Sequence, residues 1–153
     1  MIKDKIINVK DLFDIIYKHF MNYDISSYVS THVTNGLIKA TMRGIESHGI
    51  KLLPHYLNSL HSGRKNGNPN FKVNNNYNSI ITIDADRCFG LAVGNYAIEM
   101  SIEKAKNNGI CLAGVYNSSH SGAMSSIALN AADKGYCCFA FTHADSLMKS
   151  PSS

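Results

Sequence analysis

Ser79-Ile-Ile-Thr-Ile-Asp84, then Ala92, Val93, Tyr96, Ala97, Met100 and Ala105 at helical spacing, then the run Ile110 to Val115: this stretch decides the fold. The first run is short and β-branched, which suits a strand. The second recurs with a period of 3.6 and stops at Gly109, and the third is again a short apolar run. Downstream, Ser121 to Lys134 repeats the helical spacing through Met124, Ile127, Ala128 and Ala131, and Gly135 precedes the run Tyr136 to Thr142. The order β-α-β-α-β predicts parallel strands with right-handed crossovers, because a crossover helix packs back onto its sheet only with that hand. The expected class is α/β.

Upstream the pattern is helical. Asn8 is a cap for Val9, Leu12, Phe13, Ile16 and Phe20. A second helix begins near Ser26 and Ser27 and carries Val29, Val33, Leu37 and Ala40 on one stripe until Arg43 and Gly44. A third runs from Lys51 to His61, with Pro54 where a first turn tolerates it, and stops at Gly63. Residues 1–63 are therefore expected to form a helical N-terminal segment. Eight asparagines between Asn58 and Asn78, with Gly63, Gly67 and Pro69 among them, predict that 64–78 is an Asn-rich connecting loop with no buried face. Residues 79–153 then form the α/β part. They end on Ser150-Pro-Ser-Ser153 with no helix to cover the newest sheet edge, so further chain is expected.

The length, 153 residues, suits one domain, and 44% apolar residues are enough for one core. A net charge of +4, without a block of like charge, does not demand nucleic acid or a membrane surface as partner. Cys88, Cys111, Cys137 and Cys138 include no C-x-x-C pair and read as buried thiols of a reducing compartment. Charged residues interrupt the first twenty positions and no apolar run is long enough to span a membrane, so the expected location is the cytoplasm.

Three clusters could carry chemistry. In a parallel sheet, ligands gather beyond the carboxyl ends of strands, where helix N-termini favour anions. Asn117-Ser-Ser-His-Ser-Gly122 is one such loop, with His120 placed at the positive end of the next helix and so favoured as neutral imidazole. Thr142-His-Ala-Asp145 is another, and the two share one crevice if their strands are neighbours. Arg43-Gly-Ile-Glu-Ser-His-Gly49 packs a cation, a carboxylate, a hydroxyl and an imidazole between helices two and three. Plainer readings compete: His120 as a turn residue, Ser47 as a helix cap. His19, His32, His55 and His61 fall among polar neighbours and receive no role. The G-x-S-x-G elbow, the G-x-G-x-x-G fingerprint, the Walker A pattern and metal-ligand spacing are absent from the sequence, so no metal is expected.

Arg43-Gly-Ile-Glu-Ser-His-Gly-Ile50 with Pro54 and Tyr56, Asn68-Pro69, Ile83-Asp84-Ala-Asp86, Phe89-Gly90, Glu103-Lys-Ala-Lys106, Gly109-Ile110, Asn117 to Ala123 and Phe141 to Asp145 form an ordered series over essentially the whole chain. It resembles the malate/L-lactate/ureidoglycolate dehydrogenase family, and His-Ser-Gly-Ala at 120–123 is most similar to the ureidoglycolate branch. The resemblance implies a non-Rossmann α/β fold, NAD or NADP as cofactor, a small 2-hydroxy or 2-keto acid as substrate and a homodimer. It also implies that this sequence is the N-terminal part of a longer protein, with 79–153 the beginning of a nucleotide-binding domain.

Carried over residue by residue, His120 corresponds to the proton acceptor or donor beside the carbinol, and His48 with Ser47 to the second imidazole of the site. Tyr56 and Arg43 fall on the substrate side. Ser121, Gly122, His143, Ala144 and Asp145 fall where the cofactor is met. Many relatives carry an Arg two residues before the proline that Pro54 matches, expected to hold the substrate carboxylate; here that residue is Leu52. Lys51 is turned about 100° away on a helix, and Arg43 is the other candidate cation. The rival reading is a catalytically inactive, truncated remnant that folds partly and binds anions or a partner.

Overall fold

The structure, a computed structural model, describes residues 6–143. Helix α1, Val9–Met21, starts where the Asn8 side chain accepts the Lys10 N–H at 2.8 Å. Helix α2, Ser27–Met42, starts where the Ser26 hydroxyl accepts from Val29. Each cap satisfies a backbone donor that the first helical turn leaves over. Ile16 and Phe20 of α1 close on Val29, Val33 and Leu37 of α2, and all five are buried. Two 3-10 turns, Glu46–His48 and Ile50–Leu52, lead into α3, Leu53–His61, with Pro54 in its first turn.

Strands β1, Lys72–Tyr77, and β2, Ile80–Asp84, are followed by α4, Gly90–Asn108, then β3, Leu112–Tyr116, and α5, Met124–Ala132. The sheet order is β1-β2-β3. β2 and β3 are parallel, with Ile81 opposite Ala113, and α4 is their crossover, ended by Gly109 at φ 77°. The class is mixed α/β, as the hydrophobic periods require. One core joins α1, α2, α3 and the start of α4 around Phe20, Leu37, Tyr56, Phe89 and Leu91; another lies between the sheet and α4 around Ile81, Ile83 and Val93. Fully burying side chains of this size stabilises by about 1.5–3 kcal/mol each.

Four expectations need correcting. The Asn-rich segment 64–78 is not all loop: its second half is β1, antiparallel to β2 across the turn Asn78-Ser79. Asparagine disfavours strands, but on an edge strand its side chain stays in water while the ladder satisfies the backbone, and Phe71 and Val73 anchor the segment on the second core. Residues 136–142 form no strand. Tyr136, Cys138 and Ala140 are partly buried and Cys137, Phe139 and Phe141 exposed, the alternation of a strand, but no ladder partner reaches them among the described residues. For the same reason Cys137 is exposed rather than buried, whereas Cys88 is buried with its thiol pushed up to about 12 by burial. Finally, α5 begins at Met124 and not at Ser121, because Gly122 adopts φ 64° and Ala123 is extended. No helix among the described residues is long and apolar enough to cross a membrane.

Candidate active site

The turn that carries His48 is held by Thr41, on the last turn of α2. Its hydroxyl donates to the Leu37 carbonyl and accepts the Ile50 N–H, both at 2.9 Å. Gly49 makes this approach possible: a Cβ there would lie 2.3 Å from Thr41 Oγ1 and 3.2 Å from the Thr41 Cα. The seat leaves His48 half-buried, with Ser47 Oγ 2.9 Å from its Nδ1.

His120 lies in the loop after β3. Asn117, at φ 51°, donates from its amide to Asp84 Oδ1 at 2.8 Å, and Ser119 Oγ donates to the Cys88 carbonyl at 3.1 Å. The loop rests directly on the start of α4, where a Cβ on Gly90 would come within 2.5 Å of the Ser119 carbonyl oxygen and 2.6 Å of Ser121 Cα. The two amide donors of Asp86 and Asn117 hold the Asp84 carboxyl below its ordinary range.

These two supports bring the rings together. His48 and His120 stack with centroids 5.3 Å apart and planes 23° off parallel. Behind them Tyr56 is 1% exposed, its ring against Phe89 and its hydroxyl 2.8 Å from His120 Nδ1. Burial drives the Tyr56 phenol far above the ordinary 10. His120 is lowered from 6.5, first by loss of water on its packed side, then by His48 and His55. Its neutral form is thus favoured by crowding and neighbouring imidazoles, a different cause from the helix end invoked above. Two imidazoles this close resist carrying two charges at once.

Ser47, His48, Tyr56 and His120 therefore converge. Tyr56 is walled in, with its ring in the core and only the hydroxyl directed at the site. His55, an exposed residue to which the sequence assigns no role, has its ring 6.1 Å from that of Tyr56 and acts electrostatically on His120. Only its position beside Tyr56 on α3 could have drawn attention to it. Arg43 caps the exposed end of α2 without an ion pair among the described residues. Lys51 pairs with Glu46 at the surface, which lowers the Glu46 carboxyl, and Leu52 packs against the core. Ser121 lies against Gly90, and Gly122 faces Leu91. His143 is exposed, and no strand at 136–142 leads into it. Ala144 and Asp145 lie outside the described residues.

Comparison with known proteins bears on the family and the fold. A family model described as malate/L-lactate dehydrogenase matches residues 7–153. The chain is 38% identical to a malate dehydrogenase of Pyrococcus abyssi over 76% of its own length and 32% of that protein's. It is 28% identical to the NAD(+) ureidoglycolate dehydrogenase of Escherichia coli over 76% of this chain and 33% of the other. The solved malate dehydrogenase of Pyrococcus horikoshii superposes with a TM-score of 0.80 at 30% identity, covering 88% of this chain and 41% of that one. That of Entamoeba histolytica gives 0.82 at 25% identity, covering 87% and 37%. The chain thus spans about a third of the length of these curated relatives. On the family match and on the fold, the chain belongs to the malate/L-lactate dehydrogenase family.

Proposed function

We propose that this chain supplies the N-terminal part of a dehydrogenase that interconverts a small 2-hydroxy acid, of the malate, lactate or ureidoglycolate type, and its 2-keto acid. The observation that carries the reading is the stacked His48–His120 pair. Oxidising the hydroxy acid removes a hydride from the carbinol carbon and a proton from its hydroxyl. A neutral imidazole takes that proton and returns it in the reverse direction. The second ring donates a hydrogen bond to the same oxygen as its charge develops. Arg43, which makes no ion pair among the described residues, is the cation offered to the substrate carboxylate, since Leu52 packs against the core and Lys51 is engaged with Glu46.

A nicotinamide nucleotide, NAD or NADP, is the hydride partner in this reading. The residues present fit its anionic part. Ala123, the cap residue of α5, has no side-chain oxygen to satisfy the first-turn donors, which suits phosphate, and Ser121 stands just before it. Bound, the nicotinamide would accept the hydride. His143, Ala144 and Asp145 belong to the cofactor side of the proposal, and the homodimer and cytoplasmic location go with it.

The test follows nicotinamide absorbance with malate, lactate and ureidoglycolate against NAD and NADP, on a chain completed beyond residue 153. Turnover on at least one substrate, falling roughly 10²–10⁴-fold in His120→Ala, supports the reading. No turnover on any of them favours the inactive remnant, and full turnover in His120→Ala removes that ring from the chemistry.

A further inference from the structure

We infer that Tyr56 is a positioning residue: its hydroxyl donates to His120 Nδ1 and holds the neutral ring with its proton on Nε2, so that His120 is the hydrogen-bond donor of the imidazole pair and His48 the proton carrier. The division of labour rests on the dehydrogenase reading above; the hydrogen bond and the tautomer do not.

Tyr56 is 1% exposed, and among the described residues its hydroxyl has one partner, His120 Nδ1, at 2.8 Å. Buried as it is, the phenol keeps its proton throughout the working pH range. A buried O–H with no acceptor costs more than a hydrogen bond contributes. If Nδ1 carried a proton, the two groups would share one hydrogen bond with two hydrogens between them, and the phenol proton would have no other protein acceptor among the described residues. Nδ1 must therefore present its lone pair, and a neutral imidazole has its single proton on the other nitrogen.

His48 is under no such constraint. Its Nδ1 neighbour is Ser47 Oγ, and Ser47 is exposed, so that hydroxyl can turn to water and serve as donor or acceptor. The groups acting on the charge of His120 are His48, from the Glu46–His48 turn, and His55, from α3, and both oppose protonation. Adding a proton to His120 would place a hydrogen on Nδ1 against the phenol, so the ring with the constrained Nδ1 is the poorer base. A neutral N–H aimed at a developing alkoxide stabilises charge without itself ionising.

The test needs neither cofactor nor substrate. In the 15N-labelled chain near pH 7.5, long-range 1H–15N correlations are expected to show His120 with an unprotonated, pyridine-type Nδ1 and a protonated Nε2, beside a slowly exchanging Tyr56 hydroxyl proton. His48 is expected to show both nitrogens averaged between tautomers. In Tyr56→Phe the hydroxyl signal disappears and His120 Nδ1 moves downfield to the position of an unbonded pyridine-type nitrogen, while His48 is unchanged. A proton on Nδ1 of wild-type His120 overturns the proposal, and so does an Nδ1 resonance indifferent to Tyr56→Phe. If the variant does not fold, the wild-type spectrum decides alone. Absent turnover would strike the dehydrogenase reading and leave the tautomer standing.

Discussion

Replacing Gly49 by alanine tests how the His48 turn is seated. The new methyl would lie 2.3 Å from Thr41 Oγ1, the atom that both accepts from Ile50 and donates to Leu37. Two hydrogen bonds at about 0.5–1.5 kcal/mol each, plus about 1–3 kcal/mol for overpacking against α2, give an expected loss of ~3 kcal/mol. Gly49 is at φ −92°, which alanine also adopts, so the cost is contact and not backbone strain. Thr41→Ala removes the opposing hydroxyl and is expected to cost ~1–2 kcal/mol through the two lost bonds. In that background Gly49→Ala still meets the backbone of residue 41 at 3.2 Å but no longer the hydroxyl. Its cost should fall to ~1 kcal/mol, a coupling that a double-mutant cycle reads directly. Urea unfolding followed by far-ultraviolet circular dichroism measures all four proteins. A Gly49→Ala protein within ~0.5 kcal/mol of wild type, or strictly additive costs, would refute the contact argument.

Gly90→Ala should lose about 1–3 kcal/mol in the same unfolding assay and displace the His120 loop, because its neighbours there are backbone atoms of Ser119 and Ser121; wild-type stability would show that the loop gives way freely. His120 and His32 both have folded values below 6.5, so between those values and 6.5 the unfolded chain binds more protons. Their stability contribution is complete above pH 6.5 and shrinks as pH falls; the urea midpoint should be lower at pH 5.5 than at 7.5, and the opposite order would contradict the shifts. A thiol reagent at neutral pH should label exposed Cys137 first and Cys88 only on unfolding, as mass mapping of the labelled peptides will show. Phe20→Ala, at the junction of α1 and α2, should cost about 3–5 kcal/mol in urea unfolding.

What the sequence revealed followed from short-range physics. The caps at Asn8 and Ser26, the stripe Val29, Val33, Leu37 and Ala40, and the pair Ile80–Asp84 and Leu112–Tyr116 around α4 are each encoded within a few turns of chain. β1 was hidden because its residues disfavour a strand and only pairing with β2 overrides them. The run 136–142 misled for the converse reason: it has strand periodicity, but periodicity cannot supply the partner whose hydrogen bonds make a strand. In the site, Ser47, His48, Tyr56 and His120 were legible as residue types within motifs. Their meeting was not, since it depends on Gly49 against Thr41 and Gly90 against Ser119, contacts between segments far apart in sequence. Likewise nothing local showed that exposed His55 stands close enough to act on His120, or that Leu52 turns to the core.

The central claim is that the imidazoles of residues 48 and 120 meet over one reacting centre, and its most direct measurement is the titration of His120 by NMR with and without its neighbour. His120 is held below 6.5 partly by His48. In His48→Gln its midpoint is predicted to rise towards 6.5 while the remaining histidines titrate as before. An unchanged His120 midpoint in a folded His48→Gln protein would contradict the shared site and, with it, the proton pathway built on the pair.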